Sequence, residues 1–273
     1  MTDNGEPQAE QTPPKLRLGG MALRNGLLVH GPTHWAAAIR QADGEIGVAS
    51  GRKPRLHGPL ERIPGTRGVI KMGESLAVIP LVKQSLPEAQ LPFQNPTVIV
   101  TSAAAALAGS ALRNRARGMA GEAGAAMLGL LPALVALRGG ELAAYHGAEH
   151  KAIGAYERGD DAEDAAKEHD RCGSHLIAPL VASNLAGVAL LRRLVPRPGP
   201  VAGLFVSLAS IGLAVEVFIW SERHSETAAA RILHRPGHEL QRLLGTREPT
   251  PEQLAVGQAA LEALLRAEGA AAR

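Results

Sequence analysis

Four long runs without a charged side chain dominate the polarity pattern of the chain: residues 89–112, 123–137, 172–191 and 198–215. A membrane span takes about 20 mainly apolar residues, so the first, third and fourth are long enough and the second is marginal. The fourth runs into Glu216 and ends at Trp220, an aromatic suited to the bilayer interface. The competing reading is a soluble core of Ala-rich helices. Four such runs in one chain favour the membrane. Ahead of them, residues 18–50 carry short apolar stretches broken by Gly, which predicts short strands joined by tight turns, with Asp43-Gly44 as a hairpin turn. Val69, Leu76, Ile79 and Val82 recur at helical spacing and predict a helix over 68–86, stopped by Pro87. A helix is also expected over 141–157, and another starting at Thr250-Pro251-Glu252, with Leu254, Leu261, Leu264 and Leu265 on its packing face.

The expected fold class is therefore mainly α: a membrane-associated helical bundle with a small β-containing amino-terminal region. The expected organisation is a disordered tail at 1–17, an α+β region at 18–95, an apolar helical region at 96–220 and a carboxyl-terminal helical region at 221–273. The first residues, rich in Gln, Glu, Pro and Thr, lack the basic start and apolar stretch of a secretory signal.

Composition narrows the picture. With 2 Trp, 2 Tyr and 3 Phe in 273 residues, the apolar mass is Ala, Leu, Val and Gly, which suits close helix packing better than a β-sandwich. The single cysteine, Cys172, closes no intrachain bridge, so it serves as a thiol or a ligand. The net charge of +3 is unevenly spread: residues 138–171 carry 5 Lys/Arg against 9 Asp/Glu, while 1–95 carry 11 against 8. No basic element with interleaved aromatics exists, which argues against a nucleic-acid partner. Arg113, Arg115 and Arg117 cluster between the first two apolar runs, and Arg192, Arg193 and Arg197 between the last two. Both clusters favour the cytoplasmic side, which would export the amino-terminal region without a signal. Topology stays open at this point, and segments that enter the bilayer without crossing it would remove the conflict.

The chemistry concentrates in Tyr145-His146-Gly147-Ala148-Glu149-His150-Lys151, which contains H-x-x-E-H. On a helix His146 and His150 are one turn apart, so both imidazoles can reach one cation, with Glu149 near the same face and Glu157 further along it. The spacing matches the inverted zincin pattern, in which two His bind Zn and the Glu acts as base. The pairs His30/His34 and His234/His238 share the four-residue spacing, but each has Gly and Pro between its members, expected to break the helical face. They read as surface or packing histidines. Further ligands must come from elsewhere. His169 and Cys172, in H-D-R-C-G-S-H, are the first candidates: four protein ligands would make a closed structural site, three plus water an open catalytic one. Glu216 is the second, because a carboxylate at the end of an apolar run is costly unless functional or paired, for instance with Arg223. A Cys172 nucleophile beside His169 is the weaker reading. No phosphate-binding loop or dinucleotide fingerprint is present.

The blocks HGAEHKAIGAYERGD at 146–160, HDRCGS at 169–174 and PGHELQRLLGTREPTPEQLAVGQAAL at 236–261 give the chain its resemblance to the YqhQ-like bacterial family, membrane-associated proteins of unknown function described as predicted metal-dependent enzymes. The resemblance covers most of residues 18–265. It implies functional roles for His146, Glu149, His150, His169 and Cys172 and supplies no substrate. The family's opening, of the form GGQAVIEGVMMRG, is here GGMALRNGLLVHG, with Asn25 in place of a Glu and His30 in place of an Arg. Asn25 cannot act as a base or an anionic ligand.

The expectation is a protein of the cell membrane with a divalent metal, Zn by preference, held by residues among His146, His150, His169, Cys172 and Glu216, and with Glu149 as catalytic base in a hydrolase of unknown substrate. Membrane lipid is the expected partner, and a second copy of the chain is an admissible one. The alternative classes are a non-enzymatic membrane scaffold or assembly factor with a structural His/Cys site, and a soluble helical protein without metal.

Overall fold

A computed structural model describes residues 15–56, 58, 63–116, 118–138, 140–195 and 199–270. Most of the expected tail, together with Arg117 and Arg197, lies outside the described residues. Strands β1 (Gly19–Leu23), β2 (Gly26–His30), β3 (His34–Arg40) and β4 (Ile46–Arg52) form an antiparallel sheet in sequence order. The expected Asp43-Gly44 turn joins β3 to β4, with Gly44 at φ 91°, the backbone region that favours glycine. Helices α1 (Thr66–Leu76) and α2 (Val78–Ser85) follow. The single helix expected over 68–86 is thus two, separated at Ala77: Pro80 has no N–H to give to the Leu76 carbonyl, and its ring crowds that turn.

The four apolar runs become four helical stretches long and apolar enough to cross a membrane: 96–115, 119–137, 173–194 and 201–223. The first is α3 (Pro96–Arg115), capped by the Asn95 side chain. The second is α4 (Met119–Gly129) and α5 (Leu131–Leu137), broken before Pro132. The third holds α7 (Ile177–Leu194), and the fourth is α8 (Pro200–Arg223). In each, at most 17% of the apolar window is buried, and Ile99, Leu107, Leu190, Leu204 and Phe205 face outward. A soluble bundle would bury these side chains; outward apolar faces of this extent fit lipid.

The stretches form two hairpins, α3 against α4 and α5, and α7 against α8. Glu122 on α4 accepts from Arg113 Nε at 3.0 Å and from Arg192 Nη2 at 2.6 Å, so both arginine-bearing tips lie together. A carboxylate inside an apolar helix is tolerated because these two cations compensate it. Small residues allow α1 to close on α8: a Cβ on Gly212 would stand 2.3 Å from the Gly65 carbonyl oxygen.

At the other end of the hairpins are α6 (Glu141–Arg158), α9 (Ala228–Leu240), a π-type turn (Gln241–Gly245) and α10 (Pro251–Glu268). The expected Thr250 cap is formed, with Gln253 completing a capping box. α6 and α10 cover one face of the sheet, where Leu27, Val29, Ala36 and Ala38 meet Tyr145, Ala148, Val256, Ala260 and Leu264. On the other face Leu28, Trp35, Ala37 and Ile39 pack on Val78 and Val82 of α2. Period-2 alternation puts successive β3 residues on opposite faces, and since both are covered, the strand reads as a continuous apolar run. α6 packs against both the sheet and α10, and it carries the candidate chemistry.

Candidate metal centre

Two imidazoles on α6 approach one another, His146 and His150, with ring centroids 4.3 Å apart. One helical turn sets their spacing; two backbone carbonyls set their orientation. His146 Nδ1 donates to the Gly245 carbonyl at 2.7 Å, and His150 Nδ1 donates to the Lys167 carbonyl at 2.7 Å. Each ring therefore presents its Nε2 lone pair, the arrangement usual for metal-binding histidines. Cys172 brings its sulfur within 3.4 Å of His146 Nε2. The ligand atoms of His146, His150 and Cys172 all lie within 4.8 Å of one another, close enough to share one metal ion. Tetrahedral Zn–N and Zn–S bond lengths would put a nitrogen and a sulfur about 3.5 Å apart, so the observed His146–Cys172 separation fits the group. The Ser174 N–H donates to Cys172 Sγ at 3.5 Å and would support a thiolate there.

Glu149 is buried beside this group, with its carboxyl so close to β1 that a Cβ on Gly20 would lie 2.6 Å from Oε1. Loss of water pushes its pKa up to about 8, against the pull of His146. Burial likewise lowers His150 well below the ordinary histidine value and raises the Cys172 thiol. Burial thus favours a neutral His150 and a protonated Cys172, and a cation shared by the group would favour the Cys172 thiolate.

The other candidates are placed elsewhere. His169 lies near, with its ring centroid 5.6 Å from that of His150, but its Nε2 is 3.2 Å from Glu157 and its Nδ1 accepts from the Arg171 N–H. Glu157 also pairs with the Arg171 guanidinium. Glu216 is not part of the group: it accepts from Arg67 Nε at 2.7 Å and from the Gly65 N–H at 2.9 Å. A carboxylate there is answered by an arginine, and the partner is Arg67 on α1, not Arg223. Cys172 likewise faces His146 and not His169. The face of α9 is not broken at Pro236, since the helix continues to Leu240 with Pro236 inside it. His234 and His238 therefore share one side. His30 and His34 share no helical face: they stand on β2 and β3, on either side of the 31–33 turn.

Sequence reasoning missed Gln241. It is fully buried, accepts from the His169 N–H at 2.8 Å and donates to the His169 carbonyl and to Ser174 Oγ, fixing the loop that delivers Cys172. Its only signal was a position within the block 236–261. The turn it begins also presents the Gly245 carbonyl to His146.

Fold and site together define a helical protein with four membrane-length apolar helices and, at their end, a His/His/Cys group able to share one metal ion. Residues 141–267 match the model of a family described as a protein of unknown function, DUF1385. All three resembling blocks fall inside that match; the amino-terminal sheet does not. Neither a curated protein nor a solved structure matches the chain.

Proposed function

We propose that the chain is a membrane-embedded, metal-dependent hydrolase that uses zinc, with His146, His150 and Cys172 as ligands and Glu149 as base. One observation carries the reading: two imidazoles, each anchored through Nδ1 on a backbone carbonyl, offer Nε2 beside a buried cysteine and a buried carboxyl. A bound zinc ion would supply Lewis acidity and a more acidic water. The residues contribute the rest. The carbonyls of Lys167 and Gly245 hold both rings in one tautomer, and Glu149 has no hydrogen-bond partner among the described residues; with its pKa raised to about 8 by burial it would act as base through its ionised fraction, which grows as pH rises. The sheet and α10 keep bulk water from one side.

The competing reading is a structural metal that pins the 167–175 loop to α6 in a non-enzymatic scaffold. Its support is that the carbonyl orienting His150, that of Lys167, comes from the loop such a metal would tie down. Metal analysis and turnover of ester, peptide and phosphodiester reporters by wild-type protein, Glu149→Gln, His146→Ala and Cys172→Ala separate the two. The hydrolase predicts turnover by the wild type, a Glu149→Gln variant that keeps its metal and loses most of that turnover, and loss of metal in the other two. Purified wild-type protein without bound metal, or full turnover by Glu149→Gln, would end the reading.

A further inference from the structure

A cavity of about 600 Å³ opens between the end of α6, the 168–171 loop, the end of α8 and α9. His146, His150 and Cys172 are not in its wall, so what it binds stands apart from the hydrolase reading. One wall is a single face of α9: Arg231, His234, Arg235 and His238 fall at i, i+3, i+4 and i+7. The facing wall holds four acids; three have close partners, and Asp170 makes no ion pair among the described residues. Glu157 pairs with Arg171 and His169, Glu168 with Lys167, and Glu222 comes within 3.9 Å of His234. The arginines on that side are engaged too, Arg171 as stated and Arg158 with Asp160. On α9, by contrast, Arg231 gives one donor to the Glu226 carbonyl, and Arg235 makes no hydrogen bond or ion pair among the described residues. Two guanidiniums one turn apart thus face the cavity with no carboxylate bonded to either, the Glu239 charge reaching Arg235 only through space, and paired guanidinium forks suit the oxygens of a phosphate.

Position says which phosphate. His175 lies three residues into one membrane-length stretch and Glu222 one residue from the end of another, so the cavity is at the level where spans leave the bilayer. Trp220, partly exposed and stacked on His224, stands at the same end. On α9 and just beyond it, Ile232, Leu243 and Leu244 are turned outward, apolar side chains next to a basic face, as in helices that lie in the head-group layer.

We propose that this cavity binds the phosphate-bearing head group of a membrane amphiphile, with Arg231 and Arg235 on the phosphate. A free phosphate offers the same chemistry, so the test includes both sources. Full-length protein in detergent is titrated with dioctanoyl phosphatidylglycerol, dioctanoyl glycerol and inorganic phosphate. The expected result is saturable binding of the phospholipid, at least tenfold weaker binding of the other two, and a tenfold or greater loss of phospholipid affinity in Arg231→Ala/Arg235→Ala. The double variant Arg231→Lys/Arg235→Lys should recover some of the affinity. The exposed pair Arg242→Ala/Arg266→Ala removes the same net charge elsewhere and should leave it unchanged. Retained affinity in Arg231→Ala/Arg235→Ala with an unaltered melting curve overturns the site. Equal binding of dioctanoyl glycerol overturns the phosphate contact, and equal binding of inorganic phosphate overturns the lipid assignment.

Discussion

Gly147, in the middle of the H-x-x-E-H helix, is where a single methyl group should do the most damage. A Cβ built there lies 2.1 Å from the Arg247 carbonyl oxygen and 3.5 Å from Pro249 Cδ, and its nearest neighbour is backbone that cannot rotate away. Relief needs α6 and the 245–249 segment to separate by roughly 1 Å, which would strain the Arg247 N–H bond to the Ala143 carbonyl (2.9 Å) and shift Gly245, the anchor of His146. Overpacking costs about 1–3 kcal/mol and the strained hydrogen bond about 1 kcal/mol, while Ala gains about 1 kcal/mol in helix propensity. The net is a loss of about 2 kcal/mol for Gly147→Ala. Gly154→Ala, on the same helix, is the control. Its Cβ meets only the movable tip of Arg158, at 3.1 Å, so the propensity gain should prevail. The two variants should therefore differ by about 3 kcal/mol, or roughly 6–12 °C in melting temperature. If the histidines hold metal, displacement of the His146 anchor should also cost ten- to a hundredfold in metal affinity in Gly147→Ala alone. Thermal melts of the purified proteins, with metal content measured in parallel, provide the comparison. Equal melting temperatures and equal metal content in the two variants would show that the close approach of α6 to Arg247 is not what fixes the site.

Two further perturbations probe the scaffold. His30 is pushed down to about 4 by burial and by Lys53, whose ammonium donates to Nδ1 at 3.3 Å; the charges of Lys71 and Glu74 act on Lys53 in turn. Its folded value lies below the unfolded one, so as pH falls from 6.5 toward 4 the unfolded chain takes a proton that the native state refuses, and stability drops. The full linkage is about 3 kcal/mol, reduced to about 1–2 kcal/mol because the residue is only half-buried. Melting curves between pH 7.5 and 4.5 should fall less steeply for His30→Gln, and parallel curves would refute the assignment. Glu122→Ala leaves Arg113 and Arg192 facing each other at the hairpin tips. With both arginines partly solvated, the expected loss is about 1–2 kcal/mol, read as a lower melting temperature of protein that still resists carbonate extraction from membranes; an unchanged melt would mean that the tips are held by other contacts.

Local patterns served well where the physics is local. The helix expected over 141–157 is observed at 141–158, the Thr250-Pro251-Glu252 start is a capped helix, and Asp43-Gly44 is a hairpin turn. Pro80 divided a helix that hydrophobic spacing alone had joined, whereas Pro236 left α9 continuous. The tertiary setting around α9 outweighed the missing hydrogen bond at Pro236, with Gly237 packed against the His175 backbone.

The approach of His146 to His150 needed only a helix, because four residues make about one turn whatever surrounds them. The four apolar runs likewise followed from length and composition. Which cysteine or carboxylate joins the pair did not, because loop closure spans tens of residues and leaves no periodic trace. Cys172 arrives because Gln241, 69 positions away, fixes its loop, and Glu216 is withheld because Arg67, 149 positions away, takes its charge. Sequence spacing decided which two side chains can meet on one helix, and packing of distant segments decided the third.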